Sequence, residues 1–229
     1  MSVVIVGGDS TLANALAAPI LAQGTSVVTV GGASITTDHE HLPCDLSAAG
    51  EIEDALRQAE SILGESPGLI RLGVTATPSV STELASLSLE GWVARAETPL
   101  REAYAFHQAT QRFTAGRSGR VLVIVPTVGL SGGPGFVPLA TTAEADRSLV
   151  KALARVSGER GVTINCVAVT SALLTGSDGD PDRTGLPRPA HHQPDWRDVA
   201  AVIVGLLGPA FEGITGQTIA VDGGRWMSP

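Results

Sequence analysis

The sequence predicts a single doubly wound α/β domain on a parallel sheet of about seven strands. Three observations carry that expectation. Short β-branched runs alternate with longer segments of helical periodicity. The runs are continuously apolar, as strands covered on both faces require. The length of 229 residues, with 43% hydrophobic residues, suits one such domain with ample core. Aromatic residues make up only 3%, so the core must be built from Val, Ile, Leu and Ala.

Residues 3–6 (Val-Val-Ile-Val) open the chain as a buried strand. Leu12, Leu16 and Ile20 recur every fourth residue in a helix that Pro19 is expected to kink. Residues 27–30 (Val-Val-Thr-Val) form the second strand. The link from there to a short strand near Cys44 and Asp45 is brief and rich in Gly and Thr. A parallel crossover normally takes a dozen or more residues and a helix, so this helix is expected to be cut down or missing. Ile52, Ala55, Leu56, Ala59 and Leu63 make the next apolar stripe, followed by a strand at 69–72. Leu100, Ala103, Phe106 and Thr110 mark a helix before the strand at 121–125. Leu149, Val150, Leu153 and Val156 mark another before the strand at 162–167. Residues 176–194, rich in Gly, Pro and Asp, read as a mobile surface loop. Val199, Val202, Ile203 and Leu206 give the final helix, and residues 218–221 the final strand. The whole of residues 1–229 reads as one domain.

Charge and targeting signals exclude several classes. A net charge of −8 and a pI near 5.0 leave no basic face for nucleic acid. No stretch approaches the ~20 apolar residues of a membrane helix. The N-terminus has no basic region, and its apolar run is too short for a signal peptide. The expectation is a soluble, cytoplasmic protein. Cys44 and Cys166 are far apart, show no metal-ligand spacing, and are expected to be reduced.

Four segments carry a family resemblance. Ile214-Thr215-Gly216-Gln217-Thr218-Ile219-Ala220-Val221-Asp222-Gly223-Gly224 is close to an I-T-G-Q-x-hydrophobic-x-V-D-G-G ending. Residues 161–168 (Gly-Val-Thr-Ile-Asn-Cys-Val-Ala) are similar to a G-I-x-V-N-x-V-A strand. Cys44-Asp45-Leu46 resembles a C-D-V segment, and Gly119-Arg120-Val121-Leu122 a G-R-I-V strand opening. In this order they resemble the short-chain dehydrogenase/reductase family along nearly the whole chain. The resemblance implies a Rossmann-like sheet. Fold alone does not give function.

The family uses a Tyr and a Lys four residues later on one helix face, the Lys lowering the Tyr pKa for proton exchange with substrate. This chain has one Tyr, Tyr104, and one Lys, Lys151, which cannot form that pair. The resemblance places Leu139 and Ala143 at the Tyr and Lys positions, Pro126 (beside Thr127) at the Ser position, and Pro99 at the helical Asn position. No catalytic residue is therefore expected. The family's T-G-x-x-x-G-x-G turn brings backbone N–H groups to a pyrophosphate. Here Gly7 is kept, while Thr11 and Ala13 replace the other glycines and are expected to crowd the approach. Asp9 is placed to cap the following helix itself and to repel an anion. Arg71-Leu72-Gly73-Val74 stands for an Asn-Asn-Ala-Gly segment. No acidic residue follows Val30, where Gly31-Gly32-Ala33-Ser34 stands. Asp45 is retained. The resulting site of Gly7, Asp9, Thr11, Ala13 and Asp45 is vestigial, and no cofactor is expected in this chain.

Other polar residues have plainer readings. His191 and His192 lack a third ligand and read as solvated loop. A metal cluster of His39, His41, Cys44 and Asp45 is conceivable, but a short crossover at the sheet edge is the stronger reading, and no metal is expected. His107, three residues after Tyr104, reads as a helix–helix contact. Thr127, Ser131 and Thr170 are expected along the C-terminal edge of the sheet, with no general base identifiable beside them.

The leading functional expectation is a pseudoenzyme, the non-catalytic subunit of a hetero-oligomer whose active short-chain dehydrogenase partner holds NAD(P). A homo-oligomer is the other assembly considered. The helices near 99–113 and 141–157 are expected to form the interface, with Leu100, Phe106, Leu149, Val150 and Leu153 as a surplus apolar face. The alternatives are a non-redox enzyme of cyclase, lyase or isomerase type reusing the crevice, and a ligand-binding regulatory module.

Overall fold

In the computed structural model, residues 1–8, 10–32, 37–73, 81–175 and 192–227 are described. Seven strands form one parallel sheet: β1 (Ser2–Gly7), β2 (Ser26–Gly31), β3 (Glu40–Pro43), β4 (Gly68–Leu72), β5 (Gly119–Pro126), β6 (Val162–Val169) and β7 (Thr218–Val221). Their order is β3-β2-β1-β4-β5-β6-β7, and every adjacent pair is parallel. The doubly wound α/β expectation is met.

The helices are α1 (Ser10–Leu21), α2 (Ala49–Leu63), α3 (Leu89–Trp92), α4 (Thr98–Phe113), α5 (Val128–Ser131), α6 (Val137–Ser157), α7 (Ser171–Thr175) and α8 (Trp196–Leu207). A π-helical turn, Val93–Glu97, joins α3 to α4. The sheet separates two apolar layers. On one face Val4, Val28, Val121 and Ile164 pack with Leu56 of α2, Phe106 of α4 and Val150 of α6. On the other, Ile5, Ile70, Leu122 and Val167 pack with Leu16 of α1 and Ile203 of α8. Alternate residues of each strand thus serve opposite layers, which is why the strands read as unbroken apolar runs.

The structure sharpens the local expectations. The short strand is Glu40–Pro43, just before Cys44 and Asp45. Pro43 ends it, and Asp45 turns the chain into α2 by accepting from Ser47 N at 2.9 Å and Ser47 Oγ at 2.8 Å. α1 runs through Pro19 to Leu21. The surplus apolar face divides: Phe106 and Val150 are core residues, 1% exposed, whereas Leu149 and Leu153 are half-buried and Leu100 is 37% exposed. No described residue of the β2–β3 link is helical. The proposed loop at 176–194 falls almost wholly outside the described residues. No helix among the described residues is long and apolar enough to cross a membrane.

Candidate functional site

The order of strands reverses between β1 and β4, and in open α/β sheets ligands bind at the carboxyl ends of the strands at such a point. Gly7 and Gly8 turn the chain there at φ +90° and +75°, conformations that favour glycine. Thr11 is exposed on α1, and Asp9 lies outside the described residues. Ala13 is 4% exposed and packs in the layer under α1. Asp45 is exposed, and its bonds to Ser47 hold the carboxyl below the usual carboxylate value.

Leu139 and Ala143 lie one turn apart on α6. Leu139 packs against the layer shared with α1 and α8, and Ala143 is 2% exposed. A methyl placed on Gly129 would stand 2.8 Å from Ala143 Cβ, so this part of the helix seats tightly on α5. Pro126 ends β5, buried and in register with Val169 of β6. Tyr104 is 61% exposed on α4, where its hydroxyl accepts from Gln108 Nε2 at 3.1 Å. Lys151 is exposed on α6. The chain's Tyr and Lys thus stand on different helices, both facing outward.

Beneath the crevice lies a charge cluster that sequence reasoning did not find. The Arg71 guanidinium, at the end of β4, donates through Nη1 to Asp146 Oδ2 of α6 and through Nη2 to the Pro99 carbonyl of α4 at 3.2 Å. The Arg71 and Asp146 side chains are 4% and 1% exposed. His107 of α4, read as a helix–helix contact, lies in this cluster, with Nε2 3.6 Å from Asp146 Oδ1 and an edge-on contact to Phe106. Neither His107 nitrogen has a hydrogen-bond partner, and Asp146 Oδ1 has none. Gly73 leaves the room this needs. A Cβ there would stand 2.7 Å from Ile124 O and 3.0 Å from Asp146 Oδ2. Beside the cluster, Gly7, Leu46, Arg71, Leu72, Glu102 and Phe106 border about 10 Å³ of free space, room for about one water. Burial pushes the Glu102 carboxyl up, with Arg71 opposing.

Thr127 and Thr170 follow β5 and β6 at the sheet edge, each 1% exposed with an unpartnered hydroxyl. Ser131 ends α5 and donates to Gly132 O at 3.0 Å. His192 pairs with Asp198 Oδ2 at 2.7 Å on the surface, while His191 lies outside the described residues. The suggested four-residue metal cluster is split. His39 and His41 turn to Thr29, whereas Cys44 packs toward the α2 layer. Both cysteines are free, and burial pushes Cys44 up to about 11 and Cys166 up to about 12.

The strand order, the Gly-Gly turn after β1 and the helix layers define a dinucleotide-fold protein of the short-chain dehydrogenase/reductase class. The chain belongs to that family: the family model described as enoyl-(acyl carrier protein) reductase matches residues 9–225. Two relatives are both 3-oxoacyl-(acyl-carrier-protein) reductases. That of Synechocystis sp. is 26% identical over 225 residues, spanning 96% of this chain and 84% of its own. FabG of Escherichia coli is 26% identical over 238 residues, spanning 97% and 96%. Among solved structures, a short chain dehydrogenase from Bacillus anthracis has a TM-score of 0.76 at 19% identity, covering 100% of this chain and 98% of that one. The Bacillus cereus enoyl-acyl carrier protein reductase with NADP+ and an indole naphthyridinone gives 0.76 at 17%, covering 100% and 97%. At these identities the structural likeness concerns the fold.

Proposed function

We propose that this chain is the non-catalytic subunit of a hetero-oligomeric short-chain dehydrogenase/reductase, with NAD(P) and the chemistry residing in an active paralogue. The observation that carries this reading is α6. Where the family's proton-transfer pair is expected, it presents Leu139 packed on the core and buried Ala143, while the chain's Tyr104 and Lys151 face outward on separate helices. The buried Arg71 is engaged with Asp146 and the Pro99 carbonyl. The relatives' reduction of 3-oxoacyl groups would then belong to the partner.

A dinucleotide fits this edge poorly. Gly31 and Gly32 offer no carboxylate for a ribose, and Asp45 Oδ1 is taken by Ser47. Calorimetric titration with NAD and NADP in either redox state is therefore expected to give no binding, and a micromolar dissociation constant for any of them would overturn this.

Assembly is expected through α4 and α6, where Leu100, Tyr104 and Val156 are 37%, 61% and 65% exposed. Co-expression with short-chain dehydrogenase paralogues, followed by size-exclusion chromatography with light scattering, should show one stoichiometric hetero-oligomer. Tyr104→Asp should disrupt it while leaving this chain folded. Separate elution from every paralogue defeats the proposal. A second reading, a non-redox enzyme using the crevice, draws on the unpartnered Thr127 and Thr170 hydroxyls. Substrate turnover by this chain alone, without nucleotide, would favour it.

A further inference from the structure

We propose that the outward face of α4 and α6 is a basic docking surface that selects a non-identical partner chain with acidic helices and rejects a second copy of this one. The inference rests on the subunit reading above and names the chemistry of its partner. The overall charge of −8 conceals this face. Arg101 and Arg112 are exposed on α4, about three turns apart, and Lys151 and Arg155 are exposed on α6, about one turn apart. Each pair therefore lies along one side of its helix. The two helices pack side by side, and Gln111 Nε2 of α4 donates to Ser157 Oγ of α6 at 2.8 Å, which sets their carboxyl ends together. The four cations thus share one surface, with Tyr104 61% and Val156 65% exposed among them.

These charges are not neutralised within the chain. Among the described residues none of the four makes an ion pair, whereas Arg57, Arg71, Arg117, Arg120 and Arg147 each make one. The acids that α4 and α6 carry are engaged or turned away: Asp146 with Arg71, Glu144 with Arg147, and Glu102 half-buried beside Arg71. Glu97 and Glu159 stand only beyond the helix ends. The helix dipole accounts for Arg112 and Arg155, which lie in last turns, but not for Arg101 or Lys151. The adjoining α2, in the same layer, shows the opposite sign, with Glu51 and Asp54 exposed. Charge on this side of the sheet is therefore segregated by helix.

The sign of the face decides its occupant. A twofold dimer through α4 and α6 would set the patch against itself, since the same residues meet in an isologous contact. The cations of both copies would then face one another, and like charges across an interface oppose association. A partner with acidic residues on the facing helices removes that opposition and is steered in by it. Tyr104 and Val156 supply apolar contact inside the charged surround, as a protein interface requires. A phosphate backbone gives such side chains nothing to pack on, and the acidic remainder of the chain repels an extended polyanion.

The test is size-exclusion chromatography with light scattering on the full chain, alone and with each short-chain dehydrogenase paralogue, at low and high ionic strength. The hetero-oligomer should weaken as salt rises, because attraction between exposed charges is screened. Arg101→Glu, Lys151→Glu and Arg155→Glu together should weaken it by more than about tenfold, and reversing the partner's facing acids to lysine should restore it. The same three positions changed to glutamine should fall between. All three are exposed, so the urea midpoint of either variant should match that of the unaltered chain. A complex indifferent to salt and to the charge reversal would overturn this inference while leaving the subunit reading intact. A dimer of the chain alone at low ionic strength that Tyr104→Asp abolishes would overturn it too. So would binding to a DNA duplex or to anionic vesicles that the glutamate variant loses. Association with no paralogue defeats both readings.

Discussion

Asp146→Ala is expected to destabilise the protein by about 3–5 kcal/mol, because it leaves the Arg71 guanidinium buried without its counter-charge. The midpoint of urea unfolding should fall in proportion, with an unchanged slope. Arg71→Ala should act similarly by stranding Asp146, for which His107 at 3.6 Å is no substitute. Replacing both together, Arg71→Leu with Asp146→Leu, should recover most of the loss, since apolar pairs commonly replace buried ion pairs without penalty. A single-variant cost below about 1 kcal/mol would show that water reaches the pair and relieves it.

Leu139→Tyr combined with Ala143→Lys is expected to yield no NAD(P)H-dependent turnover and a less stable protein. The lysine would enter a position 2% exposed and seated against Gly129, where its charge is costly. The resemblance places Pro126 at the Ser position, so no hydroxyl stands there to share the tyrosine's proton. Activity with several carbonyl substrates and both reduced nucleotides checks this. Cofactor-dependent turnover by the double variant would mean that the nucleotide edge is competent and that only two side chains separate this chain from a working reductase.

The sheet was legible because its strands are covered twice. Residues 3–6 or 121–125 admit no polar residue, and such continuity marks a central parallel strand. β3 was harder. It is four residues long with only Leu42 buried, so no apolar run separates it from Cys44 and Asp45. Periodicity found α4 and α6, but a stripe cannot say which of its apolar members faces the sheet. Phe106 and Val150 turned inward, while Leu100 remained partly outside. The absence of a Tyr–Lys pair four residues apart could be read from the positions of Tyr104 and Lys151 alone. The Arg71–Asp146 pair could not, because its partners lie 75 residues apart and meet only when β4 and α6 pack. The available hint was Arg71 itself, the one charge in an otherwise apolar strand.

The two edge strands differ from the strands they flank. β3 and β7 have four residues each, whereas β2 and β6 beside them have six and eight. β3 also begins with exposed Glu40 and ends in exposed Pro43, which has no N–H to offer a neighbouring strand. An edge this short and interrupted is a poor template for a foreign strand, and so resists the sheet-to-sheet growth that begins aggregation. Under the subunit reading proposed above, a chain without its own nucleotide would remain recoverable rather than polymerise before its partner arrives.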